Sequence, residues 1–458
     1  MTNGQSRREF LKRASALSFA GTAAPFALNL ASIGAASAQS VGGYRAIVCL
    51  FLFGGNDHTN TVIPYDPTEH TAYLNARTPI AFARDALTAT AIAPAASQGG
   101  RPFAFHPALT IFKTLYDAGK VAVVANVGPL IVPTTRAQYR NGSVPLPPKL
   151  FSHNDQQSVW QANTAVGEGA RLGWGGRVGD LLTSQNGLTV FTCISASGNA
   201  VFLSGRDVLQ YQVSSSGAVS ISAISGTLFG SSTASSAYRR IITRTSPHLF
   251  ENELGQVTSR SIDANALLAS ALPPASQFTT PVPANNGLAS QLNVVARMIF
   301  ARSALSANRQ VFFVSLGGFD NHDTLLNEHN LRMQSMNAAV AAFYSWLQQM
   351  QIENSVTLFT ASDFGRTLTS NGDGSDHGWG AHHFAIGGAV QGGVYGTFPQ
   401  VQFNTNDDIG QGNLLPTTSV DQYAATFARW LGVADAGMPD VLPNIVNFGT
   451  SRYLDFLV

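Results

Sequence analysis

The stretch VFFVSLGGFDNHD, residues 311–323, decides the fold, because an apolar run ends there in two glycines and a charged loop. Residues 325–351 follow with apolar side chains at helical spacing, and residues 356–361 form another apolar run. A strand, a long helix and a second strand make a βαβ unit, which implies parallel pairing and a right-handed crossover. The sequence therefore predicts an α/β fold with a mainly parallel sheet sandwiched between helices.

Three apolar runs of the sequence each stop at an aspartate. The run at residues 47–53 leads to Asp57, and the two runs described above lead to Asp320 and Asp363. In an open α/β sheet the carboxyl ends of parallel strands line one edge, where ligands bind. Three carboxylates there would repel one another unless a cation lay between them. We therefore expect one or two divalent metal ions at this edge, with zinc, manganese, magnesium and calcium as the candidates.

Histidines near these aspartates offer the nitrogen ligands that zinc and manganese accept. His322 lies two residues after Asp320, and His377 and His382 lie in a loop bounded by glycine and tryptophan. Adjacent residues are not expected both to bind one ion, so His383 is interpreted as a supporting or core residue. The metal ligands predicted from the sequence are Asp57, Asp320, His322, Asp363, His377 and His382.

Two further residues are candidates for catalysis. Ser152 precedes a predicted helix at residues 156–162, where backbone N–H groups and the helix dipole favour an anionic oxygen, so it is a candidate nucleophile. The alternative is that Ser152 is an N-cap whose turn is completed by Asp155. Arg366 lies three residues after Asp363, and it either binds an anionic substrate group or pairs with Asp363.

The N-terminal residues have the pattern of an export signal. Arg7 and Arg8 precede an apolar stretch at residues 14–33, and Ala38 ends a small-residue cleavage site. The pattern predicts a twin-arginine signal peptide at residues 1–38, transport by the twin-arginine translocase, and a periplasmic or extracellular location. The alternative, a transmembrane anchor, is disfavoured because polar residues, glycine and proline interrupt the stretch, so no membrane span is expected after cleavage.

Composition excludes some classes of partner. The 27 basic and 26 acidic residues give a net charge of +1, and no basic run follows the signal, so neither nucleic acid nor an acidic membrane surface is expected as a partner. Cys49 lies in the strand-like run at residues 47–53, and Cys193 lies in a further predicted strand at residues 190–194. Both are expected to be buried thiols. Residues 39–458 are predicted to form the α/β domain, with a Ser/Gly-rich insertion or cap at residues 195–285.

Seven short motifs, taken in order, resemble a known family. They are the twin-arginine signal, FGGND (53–57), FHPAL (105–109), FSHND (151–155), GGFDNH (317–322), SDFGRT (362–367) and DHGWG (376–380). The series resembles the exported bacterial family called domain of unknown function 1501, over nearly the whole chain after the signal. That family is similar to the alkaline phosphatase-like superfamily of phosphatases, sulfatases and phosphomutases, so the resemblance implies an alkaline phosphatase-like fold.

The superfamily carries, in chain order, an aspartate ligand, a nucleophile at a helix start, an aspartate with a histidine, a later aspartate and a final histidine. The resemblance implies that these are Asp57, Ser152, Asp320 with His322, Asp363, and His377 or His382. The sequence departs from the pattern at Phe364, where the superfamily usually has a ligand, and in the short spacing from Asp320 to His322. No cysteine lies at the nucleophile position, and the formylglycine-forming pattern of sulfatases is absent. A complete two-metal phosphatase therefore does not follow from the resemblance.

The leading hypothesis is an exported metal-dependent hydrolase of phosphate or sulfate esters, in an active or a degenerate form. Its substrate would be a small-molecule or glycan ester. The alternative is a non-catalytic exported metal-binding protein for assembly or glycan binding, which retained ligands without a working nucleophile would favour.

Overall fold

The computed structural model describes residues 42–93, 95–164 and 167–458. The predicted signal peptide, residues 1–38, lies outside the described residues. Within the described part of the chain, no helix combines the length and the apolarity needed to cross a membrane.

The strands of the described chain follow one another from near residue 45 to residue 419. In chain order they are β1 (Arg45–Phe53), β2 (Val62–Pro64), β3 (Phe103–Phe105), β4 (Val121–Gly128), β5 (Cys193–Ser195), β6 (Tyr211–Ser214), β7 (Gly217–Ala218), β8 (Arg309–Gly317), β9 (Val356–Ser362), β10 (Arg366–Ser370), β11 (Ser375–His377), β12 (Ala381–Gly387), β13 (Gly393–Tyr395) and β14 (Thr418–Ser419). The helices are α1 (Pro67–Arg77), α2 (Thr110–Asp117), α3 (Arg136–Asn141), α4 (His153–Ala162), α5 (Trp174–Leu182), α6 (Ser222–Ser225), α7 (Ser232–Ile242), α8 (Leu249–Ala271), α9 (Gly287–Phe300), α10 (Leu325–Gln349), α11 (Val420–Leu431) and α12 (Met438–Val441).

One large sheet organises the molecule. Its strand order is β13-β4-β12-β9-β1-β8-β5-β6-β7, with β14 also paired to β4. Among the described strands of this sheet, β12 and β7 run antiparallel to their neighbours and the other pairs are parallel. The predicted fold class, α/β with a mainly parallel sheet, is confirmed.

Helices cover both faces of the sheet. Strand β1 is therefore apolar throughout and does not alternate between apolar and polar residues. Side chains of Val48 and Leu50 pack into a core with helices α9 and α10, whereas Cys49 and Phe51 pack into a second core with α5 and α11. A strand buried on both sides has no solvent-facing position for a polar residue. Cys49 and Cys193 are both buried and unbridged, as predicted.

The register of the central strands places the candidate site. Strand β1 lies between β8 and β9, and Phe53 pairs with Gly317 while Leu52 pairs with Ser362. The carboxyl ends of the three strands are therefore level. The loops that follow them carry Asp57, Asp320 and Asp363 to the same edge of the sheet.

Two elements differ from the predicted ones. Residues 190–194 are predicted as a strand, but Thr189–Phe191 form a 3-10 turn and the strand begins at Cys193. The side chain of Asn186 hydrogen-bonds to backbone groups of residues 308 and 309. These contacts hold residues 189–191, just before β5, outside the sheet. The helix predicted at residues 156–162 begins earlier, at His153, and this extra turn carries a site residue.

Candidate metal centre

Four side chains from separate parts of the chain meet at the carboxyl edge of the sheet. His153 is the first residue of α4, Asp320 and His322 follow β8, and His377 ends β11. One ligand atom each of His153, Asp320 and His377 lie within 4.8 Å of one another. The side chains of Asp320 and His322 are 46% and 41% exposed, so the cluster is open to solvent.

Asp320 is the centre of this cluster. Its Oδ2 lies 3.4 Å from Nε2 of His153. Its Oδ1 lies 3.0 Å from Nε2 of His322 and 3.4 Å from Nε2 of His377. The two Nε2 atoms of His322 and His377 are 3.1 Å apart. All three imidazoles therefore direct the same nitrogen at one carboxylate.

The other ring nitrogen of each histidine is bound to an acceptor. Nδ1 of His153 lies 2.7 Å from Oδ2 of Asp363, and Nδ1 of His377 lies 2.7 Å from the carbonyl oxygen of Phe151. Nδ1 of His322 lies 3.3 Å from Oδ1 of Asp376. Because a carbonyl or an ionised carboxylate only accepts, Nδ1 of His153 and of His377 carries the proton, and in the neutral ring Nε2 presents a lone pair. This is the usual arrangement of histidines that bind a metal ion.

The geometry of the donors fits a divalent cation. Nε2 of His322 and Nε2 of His377 lie 3.1 Å apart and face the same carboxylate oxygen of Asp320, a set of atoms that a cation could bind together. In a tetrahedral site with bonds of about 2.0–2.2 Å, neighbouring ligand atoms are roughly 3.3–3.6 Å apart. His153 and His377 lie 3.4 Å from the carboxylate of Asp320, which is close to this, and His322 lies beside this group of three at 3.0 Å from the same carboxylate. Imidazole nitrogens beside a carboxylate favour a zinc-like transition metal over calcium or magnesium.

Ionisation at the cluster follows from its contacts. Partial burial acts to raise the pKa of Asp320, but the hydrogen bond from Arg366 and the nearby His153 and His322 outweigh it and lower the pKa. The hydrogen bond to Asp363 raises the pKa of His153 above its ordinary value. Burial lowers the pKa of His377, so this ring is neutral near pH 7. The centre thus combines an ionised carboxylate with at least one neutral imidazole.

Asp363 supports His153 from behind. The carboxylate is fully buried, and its Oδ2 accepts hydrogen bonds from His153 and from Nε2 of Gln157 at 2.8 Å. Its Oδ1 is buried and has no hydrogen-bond partner among the described residues. Asp363 therefore fixes the tautomer and the orientation of His153.

We expect Asp363→Asn to weaken metal binding by about 10- to 100-fold, because supporting carboxylates of metal-binding histidines contribute on that scale. The measurement is a competition titration with a chromogenic chelator. Asp373→Asn is the matched control, since this exposed aspartate lies in the same region of the chain and has no role in the cluster. Equal affinities of the two variants would contradict the supporting role.

Asp57 does not join the four donors. It is buried, and its Oδ2 lies 2.6 Å from Nη2 of Arg77, which is itself fully buried. Burial raises the pKa of Asp57, while the positive charges of Arg77 and Arg366 act in the opposite direction. The second guanidinium nitrogen of Arg77 donates to the carbonyl of Thr367. An internal cation therefore already neutralises Asp57.

The side chain of Arg366 is buried and connects several segments of the site by hydrogen bonds. Its Nε donates to the carbonyl of Gly55, and its Nη1 donates to the carbonyl of Ser375, both at 3.0 Å. Its Nη2 binds the carbonyls of Gly54 and Phe319 as well as Oδ1 of Asp320. Every guanidinium nitrogen has a protein partner. Arg366 thus joins the loops after β1 and β8 to β11, and it pairs with Asp320 and not with Asp363.

His382 and His383 lie in the core on strand β12. Nδ1 of His382 accepts the backbone N–H of Asn126 at 3.0 Å, and its ring stacks on Phe398 at 4.2 Å. Nδ1 of His383 lies 3.2 Å from the hydroxyl of Thr360. Burial lowers the pKa of each histidine to about 3. The structure does not bring His382 into the cluster with His377.

Ser152 is the N-cap of α4, and its side chain makes no bond to the helix backbone. Its hydroxyl donates to Oδ2 of Asp155 at 2.7 Å. Backbone hydrogen bonding from Glu168, together with the bond from Ser152, lowers the pKa of Asp155. Ser152 thus lies one residue from a donor of the cluster and is held by a carboxylate.

His153 is absent from the ligands predicted from the sequence. The FSHND motif offers two side chains suited to a helix start, and the nucleophile argument selects Ser152. The signal that identifies His153 is its position directly after an N-cap, where the first residue of a helix can project into the same edge as the strand-end loops.

No curated protein matches the sequence. A Bacteroides thetaiotaomicron protein of glycosaminoglycan metabolism aligns with 88% of this chain and 75% of its own, at 9% identity and a TM-score of 0.36. The lipoteichoic acid synthase LtaP of Listeria monocytogenes aligns with 88% and 78%, at 8% identity and a TM-score of 0.35. A cold-active alkaline phosphatase of a psychrophilic Shewanella aligns with 70% and 68%, at 12% identity and a TM-score of 0.28. Similarity at this level carries no conclusion about the reaction.

A family assignment rests on the sequence itself. Residues 44–442 match the model of the family described as Protein of unknown function (DUF1501). The match spans most of the chain and includes each of the motifs that follow the signal. The protein belongs to the DUF1501 family.

Proposed function

We propose that the protein is an exported metal-dependent hydrolase of phosphate or sulfate esters, acting on a small-molecule or glycan ester outside the cytoplasm. The observation that carries the proposal is the convergence of three Nε2 atoms on the carboxylate of Asp320. Structural metal sites are closed, whereas catalytic sites keep a position open to substrate. The solvent exposure of Asp320 and His322 therefore supports a catalytic site over a structural one.

The residues of the site would bind the ion, orient its ligands or position them. His153, Asp320, His322 and His377 would hold the ion, and Asp363, Phe151 and Asp376 orient the three rings. A divalent ion bound there would act as a Lewis acid on a non-bridging oxygen of the ester. Arg366 holds Asp320 in place through its hydrogen bond, so its contribution is to position a ligand of the ion.

Ser152 is the proposed nucleophile. It lies at the start of α4, where the helix dipole favours negative charge on its oxygen. Asp155 already accepts its hydroxyl proton in a hydrogen bond. The attack would form a bond from Ser152 Oγ to phosphorus or sulfur and break the bond to the alcohol oxygen, with the serine proton passing by way of Asp155 to the leaving alcohol. Attack by water on the seryl ester would then release phosphate or sulfate and restore Ser152.

We expect Ser152→Ala to abolish ester hydrolysis and to leave the metal content unchanged. The measurement is a screen of phosphate and sulfate esters with manganese, zinc, magnesium and calcium supplied in turn. Ser158→Ala is the matched control, because Ser158 lies within the same helix and should retain full activity. Equal activity of the wild type and Ser152→Ala would remove Ser152 from the mechanism.

A second candidate is a non-catalytic exported metal-binding protein for assembly or glycan binding. One observation about Arg366 favours it. Every nitrogen of the Arg366 guanidinium already donates a hydrogen bond to another group of the protein. It therefore offers little to an anionic substrate. Metal occupancy without hydrolysis of any ester in the screen would support this candidate.

A further inference from the structure

A groove of about 680 Å³ opens where β4 ends, at the edge of the sheet that also carries the metal centre. Its floor is formed by Leu130, Leu415 and Phe448, which are only 5–7% exposed. These side chains belong to one small apolar cluster with Trp379. The volume is within the range of small-molecule sites, which is about 300–1,000 Å³.

The groove is joined to the metal centre by two chain segments. Trp379 follows His377 by two residues, and its indole N–H donates to the carbonyl of Pro129 at 3.0 Å. Phe151 packs against the same apolar cluster and accepts the Nδ1 proton of His377. The floor of the groove and the orientation of one metal-binding histidine therefore depend on the same contacts.

Arg136 brings a positive charge to the polar side of the groove. Nε of Arg136 is buried, and no hydrogen bond or ion pair to this guanidinium occurs among the described residues. A buried donor without a partner costs free energy that a bound acceptor would recover. A guanidinium binds planar or tetrahedral oxyanions through paired hydrogen bonds. Thr134, Thr417 and Asn406 also line the groove with hydroxyl and amide groups, and Asp407 lines it with a carboxylate that accepts the backbone N–H of Gln400.

We propose that this groove binds an acidic saccharide, with Arg136 holding a carboxylate or sulfate group and the apolar floor carrying the face of a sugar ring. The hydroxyl and amide groups of the polar side match the hydroxyls of a sugar. The inference rests on the proposed function, since the groove would hold the part of a glycan ester that does not react.

The test is calorimetric titration of the metal-loaded protein with three disaccharides, one of galacturonate, one of sulfated galactose and one of galactose. We expect at least one of the two charged disaccharides to bind and the neutral one to bind more weakly. Arg136→Gln should lower the affinity for the charged disaccharide by about tenfold or more. Arg140→Gln is the matched control, because this exposed arginine lies one turn further along α3 and its loss changes the net charge equally.

Each outcome supports or overturns the inference. The preferred charged disaccharide identifies the anion as carboxylate or sulfate. Equal binding by the wild type and Arg136→Gln, equal binding of the neutral sugar, or no binding of either charged sugar would overturn it. Hydrolysis is measured separately, so a protein that binds the charged sugar but cleaves no ester would refute the proposed function and leave the groove assignment standing.

Discussion

Asp320→Asn should be purified with little metal and should unfold at a lower temperature than the wild type. The substitution replaces the one charged ligand at the centre of the cluster with a neutral group, and it also removes the carboxylate that Arg366 binds. An ion that binds only the folded protein stabilises it by linkage, so its loss lowers the melting temperature. Metal content is measured by elemental mass spectrometry and unfolding by calorimetry on the same samples.

Two controls separate metal loss from loss of the ion pair. Asp323→Asn removes an equal charge three residues further along the same loop and should retain metal and stability. Chelated wild type loses the ion but keeps the pairing of Asp320 with Arg366, so it should melt between the wild type and Asp320→Asn. If Asp320→Asn and the chelated wild type both melt like untreated protein, the metal hypothesis loses its main support.

Arg77→Met should cause the largest loss of stability, about 3–5 kcal/mol, because it leaves the buried carboxylate of Asp57 without its partner. The side chain of Asp57 is only 1% exposed, so water does not replace Arg77 as its partner. Metal content should stay unchanged in the fraction that folds. Denaturant unfolding and elemental analysis measure the two quantities.

Lys113→Met is the control for Arg77→Met. It breaks the partly exposed ion pair with Asp117 and should change stability by less than about 1 kcal/mol. The double variant Asp57→Asn with Arg77→Met should be more stable than Arg77→Met alone, since it removes the buried charge. A gain of metal by Arg77→Met without destabilisation would instead make Asp57 part of the metal centre.

The fold could be predicted from sequence because its central strands are buried on both faces. Strands β1, β8 and β9 are long apolar runs, and the helix between β8 and β9 has clear helical spacing, so their bounds match the structure closely. The short strand β5 could not be placed as well. Its start depends on the contact of Asn186 with the chain near residue 309, which no local pattern reveals.

The site could be predicted only where a strand end determines position. Asp320, His322 and His377 meet because each lies near the carboxyl edge of the sheet. Asp57 reaches the same edge, but its partner Arg77 comes from the end of α1, and helix position alone does not show where such a side chain points. His382 lies two residues into β12, where side chains alternate between buried faces instead of reaching the edge.

The four donors are spread from residue 153 to residue 377, and the sheet that aligns them pairs β1 with strands more than 250 residues away in the chain. Contacts so distant in sequence form late in folding, because long loops must close first. A partly synthesised or partly folded chain therefore has no complete binding site. Metal occupancy would therefore report on whether the central sheet and the loops that follow its strands are complete.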